Sequence, residues 1–185
     1  FDVICRGEKF AHVELQVPGV HNVKNALAAA ASAIALHFPP AAVEEGLAAF
    51  HGAGRRFEHK GSFHGAEVYD DYAHHPGELQ ALFSAVKGMG YERIICAFQP
   101  HTYTRTKALF SDFVQVLREP DLAILAEIYA ARETDTLGIS SRNLEQELKA
   151  LGTDVHYFPS FGEIEKFLLE HCIHGDLCIT MGAGD

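Results

Sequence analysis

The chain of 185 residues is 48% hydrophobic and 22% charged, which is ordinary for a globular protein and excludes disorder as a description of the whole. Fifteen Lys and Arg against 25 Asp and Glu leave a net charge of −10, so a nucleic-acid surface is not expected. No apolar run approaches a membrane span and no signal-peptide pattern opens the chain. The 4 cysteines lack CxxC spacing and read as free thiols of a reducing, cytoplasmic setting.

Residues 1–17 read as two short strands around a turn at Arg6–Lys9, because Val13, Leu15 and Val17 alternate with polar residues. An alanine-rich helix follows from about Asn22 to His37 and ends at Pro39-Pro40, and a second runs from Ala41 to Phe50. Gly52-Ala53-Gly54-Arg55-Arg56 marks a domain boundary, giving residues 1–54 as one unit and 55–185 as another. Beyond it, residues 59–63 and 66–72 form a hairpin through His64-Gly65. Helices at 77–87, 105–117, 141–151 and 161–172 then alternate with strands at 93–98, 122–126, 155–158 and 177–181. Such alternation predicts an α/β fold, a Rossmann-like doubly wound and mostly parallel sheet with flanking helices. The chain opens on a strand-like run and stops at a Gly turn where a helix is expected, so it reads as a segment of a longer protein.

Ligands of such sheets bind beyond the carboxyl ends of the strands, where this chain keeps its polar clusters. Asp70-Asp71-x-x-His74-His75 suits sugar hydroxyls, a metal or a solvated turn, though no familiar zinc spacing is present. His101 and Arg105 stand four apart at a helix start, fit for a carboxylate or phosphate, or else a surface arginine beside a capping Thr102 or Thr104. Arg55-Arg56 is a phosphate grip or a solvated linker. His21, Asn22 and Asn25 can face a planar base, or Asn22 can simply cap its helix. Gly182-Ala183-Gly184 admits a phosphate or a close-packed neighbour. No GxxxxGK[ST] occurs, so nothing here cradles a triphosphate in the P-loop manner.

Taken in order, Pro18–Ala29, Gly52–Glu58, Asp70–Pro76, Phe98–Thr106, Ile128–Glu133 and Gly182–Asp185 resemble the Mur ligases over essentially the whole chain. Within that family they are most similar to the members that join L-alanine to UDP-N-acetylmuramate. The murein tripeptide recycling ligases share the RRxE and DDxAHHP-like elements. The resemblance implies the tail of a central ATP-binding domain at 1–54 and an incomplete C-terminal Rossmann-like ligase domain at 55–185. The UDP-sugar domain, the P-loop and the main Mg2+ ligands would lie upstream, leaving no metal ligand here. It implies ATP contacts from His21, Asn22 and Asn25 at the adenine, Arg56 at the phosphates and Asp71 at the ribose. His74, His101 and Arg105 would face the amino acid, with Arg105 on its carboxylate. Many relatives carry a basic residue where this chain has Thr102, which places more weight on Arg105. The implied segment is inactive alone, and its apolar N-terminal part is mobile or self-associating. Two rival readings are a non-catalytic nucleotide-binding module and a metal-dependent hydrolase built on Asp70, Asp71, His74 and His75.

Overall fold

The computed structural model describes residues 1–184 and divides into two compact units, Phe1–Ala53 and Gly54–Asp185. In the first, β1 (Asp2–Cys5) and β2 (Glu8–His12) pair antiparallel across Arg6-Gly7, both at positive φ. The strand expected to reach Val17 stops at His12. Val13 still donates its N–H to the Phe1 carbonyl, but β1 offers nothing opposite Leu15 and Val17. Helix α1 (Val20–Ala35) starts two residues ahead of the expected Asn22. Gly19, at φ 98°, takes the cap position, and the Asn22 amide donates to the Pro18 carbonyl at 2.7 Å instead of capping. Helix α2 (Pro40–Ala48) starts on a proline, whose fixed φ suits a first turn. Val3, Ala11, Val13, Ala30 and Val43 form the small core of this unit.

The second unit is a six-stranded sheet in the order β3-β4-β8-β5-β6-β7. β3 (Glu58–Phe63) and β4 (Ala66–Asp71) make the expected hairpin, and both residues of its turn, His64 and Gly65, have positive φ. The remaining strands, β5 (Arg93–Phe98), β6 (Leu122–Leu125), β7 (Val155–Tyr157) and β8 (Asp176–Met181), run parallel to β4. Between them come α3 (Pro76–Val86), α4 (Tyr103–Ala108), α5 (Phe110–Val116), α6 (Ser141–Ala150) and α7 (Phe161–His171). The helix expected over 105–117 is therefore two. They break at Leu109, where Leu109 and Phe110 pack against the core.

Handedness explains the layers. The crossovers from β4 to β7 step one way along the sheet, whereas β8 returns to lie between β4 and β5. Right-handed crossovers then require α7 on the face opposite α3, α5 and α6. The cores agree. Ile94, Cys96 and Phe98 join Phe83, Phe113 and Leu148 on one side, while Ile95 and Ala97 join Ile164 on the other.

The registers align the strand ends. Asp71 pairs laterally with Met181, Met181 with Phe98, Phe98 with Leu125, and Leu125 with Tyr157. One row thus crosses five parallel strands, and the polar stretches following it leave from a single rim.

Candidate active-site rim

At the β4 end, Asp71 is buried, with 8% of it exposed. Its two oxygens accept the N–H groups of Phe57 (2.7 Å) and Ala73 (2.8 Å). Burial raises its pKa above the usual carboxylate value, although those two hydrogen bonds and the Arg56 charge oppose the rise. Arg56 itself is exposed and also helps to lower Glu78. The adjacent Asp70 is paired. One oxygen takes Arg55 Nε–H at 2.9 Å and the other takes the Thr180 hydroxyl at 2.7 Å. His75 caps α3 by accepting the Gly77 N–H, and Glu78 answers by accepting the N–H groups of His74 and His75. Asp70 and His75 are therefore spent on the fold. Among the described residues no group of three or more His, Cys, Asp or Glu converges to hold a metal ion. Asp70, Asp71, His74 and His75 thus do not form the convergent ligand set on which the hydrolase reading rests.

The rim brings together the residues expected on the amino-acid side. The His74 and His101 rings are 5.9 Å apart, and His101 is 5.5 Å from Tyr129. Arg105, one turn beyond His101, points a guanidinium nitrogen at His101 Nδ1 (3.4 Å). Main-chain bonds lock the two loops, since Tyr129 N–H donates to Pro100 and Thr102 N–H to Tyr129. Glu133 accepts from the N–H and hydroxyl of Thr104. Thr102 sits at φ 67°, a rare state for a β-branched residue that costs about 1–3 kcal/mol. Bonds from Arg105 N–H to its hydroxyl and from the Thr106 hydroxyl to its carbonyl hold it there.

Hydrogen bonding assigns the imidazole tautomers. Arg105 can only donate, so His101 Nδ1 accepts and Nε2 carries the proton. Burial, then the Arg105 charge, then His74 lower the His101 pKa and favour this neutral form. His74 is the reverse: Nδ1–H donates to the Tyr72 carbonyl at 3.0 Å, leaving Nε2 as the acceptor. The pair offers one donor and one acceptor.

Other residues of the rim hold its loops together. Glu127, after β6, accepts the N–H groups of Ile128 and Ser141 and the Tyr157 hydroxyl, tying β6 to α6 and β7. Gln99 bridges the β5 and β6 ends through the Glu127 carbonyl. The glycine loop after β8 is packing, not a cradle, because a Cβ on Gly182 would stand 2.8 Å from the Gln99 carbonyl. Asp185, the last residue of that motif, lies outside the described residues. His21, Asn22 and Asn25 belong to the other unit, on the first two turns of α1, with His21 and Asn25 exposed.

Residues 55–184 match the family model described as Mur ligase, glutamate ligase domain. The chain is 50% identical to a UDP-N-acetylmuramate–L-alanine ligase of Lachnospira eligens and 46% identical to one of Clostridium novyi. Each match covers 100% of this chain and 40% of the relative. The chain thus spans about 40% of the length of the curated relatives it matches. Among solved structures, the UDP-N-acetylmuramate-alanine ligase of Thermotoga maritima superposes with a TM-score of 0.79 at 30% identity, over 97% of this chain and 38% of that one. A murein peptide ligase from Psychrobacter arcticus shares the fold, with a TM-score of 0.65 at 23% identity, covering 93% of this chain and 36% of that one. The chain belongs to the Mur ligase family.

Proposed function

We propose that this chain is the C-terminal portion of a cytoplasmic, ATP-dependent ligase that joins L-alanine to UDP-N-acetylmuramate in peptidoglycan synthesis. The observation that carries the reading is the rim cluster of His74, His101 and Arg105, an amino-acid-sized set of charge, donor and acceptor, in a chain 50% identical throughout to relatives of that name. On this reading residues 1–54 are the tail of the central ATP-binding domain and 55–185 the C-terminal ligase domain. No helix among the described residues is long and apolar enough to cross a membrane.

The chemistry needs a carboxylate made electrophilic and an amine made nucleophilic. Transfer of the ATP γ-phosphoryl group to the muramate carboxylate gives an acyl phosphate. The amine then attacks its carbonyl carbon, the C–O bond to phosphate breaks, and phosphate leaves with the electron pair. Arg105 pairs the alanine carboxylate and fixes the amine's direction. His74 Nε2 takes one proton from the ammonium group, freeing the lone pair for attack. The second proton leaves the nitrogen to water as the tetrahedral intermediate collapses. His101 Nε2–H donates to the oxyanion of that intermediate. On the nucleotide side, Arg56 meets phosphate and the outer edge of Asp71 meets the ribose hydroxyls. His21, Asn22 and Asn25 face the adenine. Among the described residues no group of three or more His, Cys, Asp or Glu is placed to hold Mg2+.

The test is phosphate release by the full-length ligase with ATP and UDP-N-acetylmuramate, comparing L-alanine with the tripeptide used by recycling ligases. Release that depends on L-alanine supports the reading. Release only with the tripeptide assigns the recycling reaction, and no release with either contradicts a ligase of this kind.

A further inference from the structure

We infer that Arg55 is the positioning residue for the His74–His101 pair, a role that rests on the ligase reading only for its kinetic consequence. Each of the three guanidinium nitrogens already donates to an oxygen: Nε to Asp70 at 2.9 Å, Nη1 to the Gly184 carbonyl and Nη2 to the Gly182 carbonyl, both at 2.8 Å. Asp70 is held in turn by the Thr180 hydroxyl. The side chain is thus a cross-link between the turn before β3, the end of β4 and the loop after β8, and the adjacent Arg56 is left for the ligand.

Two arms run from this guanidinium to the two imidazoles. The first goes through Tyr72. The guanidinium lies 5.0 Å from the Tyr72 ring, which meets the His74 ring edge-on at 5.5 Å. The second goes through the glycine loop. Gly182 and Gly184 pack on Gln99, two residues before His101, and the Gln99 N–H is bonded to the Met181 carbonyl at 2.9 Å. The arms converge where His74 and His101 face each other at 5.9 Å. The Asp71 main chain touches this linkage, since its carbonyl accepts the Gly182 N–H at 3.2 Å, but its carboxylate is held separately by the N–H groups of Phe57 and Ala73. Loss of the Arg55 side chain therefore disturbs the amino-acid side first, because the Asp71 carboxylate keeps both of its own N–H donors.

Full-length Arg55→Ala and Arg55→Lys ligases, with histidine-selective ring labels for NMR, test this. Both variants are expected to lower kcat about 10-fold or more while the KM values for L-alanine and ATP stay within about 2-fold, as for a displacement of groups that act in the transition state. Lysine fails to rescue because one ammonium cannot span three fixed acceptors. The His74 and His101 ring signals move in both variants and the remaining histidines hold still. Unchanged kinetics and ring signals overturn the inference. So does a uniform loss in kcat and both KM values that tracks lowered thermal stability. If Arg55→Ala does not fold, Tyr72→Leu severs the first arm and should move the His74 signal alone. Gln99→Ala removes the side-chain contact of the second arm with Gly184 and should move the His101 signal alone, and movement of neither signal overturns the role. A wild-type ligase inactive towards L-alanine defeats the functional reading, while the ring signals still decide for or against Arg55.

Discussion

In the proposed nucleotide site, Arg56 and Asp71 divide between them two different costs. Arg56 spends its charge in solvent, where an anion can reach it, whereas Asp71 is a carboxylate held inside against its own desolvation. Arg56→Ala in the full-length ligase should raise the KM for ATP by about 10-fold or more, the worth of one charge-assisted phosphate contact, and leave that for L-alanine nearly unchanged. Steady-state kinetics with each substrate varied check it. His101 gives a pH signature. Its folded pKa lies below the ordinary 6.5, so the unfolded chain takes up its proton first as the solution is acidified. That contribution to stability is complete above pH 6.5 and is lost as the pH falls through the lower folded value. Urea unfolding between pH 7.5 and pH 5 should therefore show a shallower acid loss for His101→Gln than for the wild type, and equal slopes would count against a neutral His101.

At the scale of elements, the far ends of β5 and β8 are fastened by a buried charge. Arg93 forks onto Asp176, which is 1% exposed, and also holds the His171 carbonyl at the end of α7. Burial pushes the Asp176 carboxyl up, but the Arg93 hydrogen bonds, the Ile173 N–H and the Arg93 charge outweigh it and leave the pKa below the usual value. The stabilisation is present above pH 3.8 and is lost as the pH falls through the lower folded value. Asp176→Asn should cost about 3 kcal/mol at neutral pH, the low end for breaking a buried pair, because Arg93 keeps some water. Denaturant titration of the two proteins at pH 7 measures it. The strands and helices of this unit were legible in the sequence because apolar runs such as 93–98 and 122–126 are each bounded by breakers and alternate with amphipathic helices. The end of β2 was not, because alternation at Val13, Leu15 and Val17 says nothing of whether a partner strand continues. The rim cluster was legible as residue types after strand ends. The work of Arg55 was not, since its acceptors are main-chain carbonyls 127 and 129 residues away.

For the molecule as a whole, the two units differ in how well they bury themselves. The Gly54–Asp185 unit has apolar layers on both faces of its sheet, enough for a cooperative unfolding transition of its own. In the other, Val20, Leu36 and Phe38 are more than half exposed around a core of five small buried residues. The isolated 185-residue chain should accordingly unfold cooperatively by calorimetry through its larger unit, yet release no phosphate in an L-alanine-dependent manner. Turnover by the chain alone would contradict the proposed division, in which the triphosphate cradle lies in another part of the ligase. The central claim, that this rim handles the amino acid and not the activation of the carboxylate, is tested most directly by Arg105→Ala in the full-length ligase. Acyl phosphate is trapped with hydroxylamine in one assay and L-alanine capture is followed in the other. The account predicts trapping within a few-fold of wild type, with the KM for L-alanine raised roughly 30-fold or more by loss of a desolvated charge pair. Equal loss of trapping and capture, or an unchanged KM for L-alanine, would contradict it.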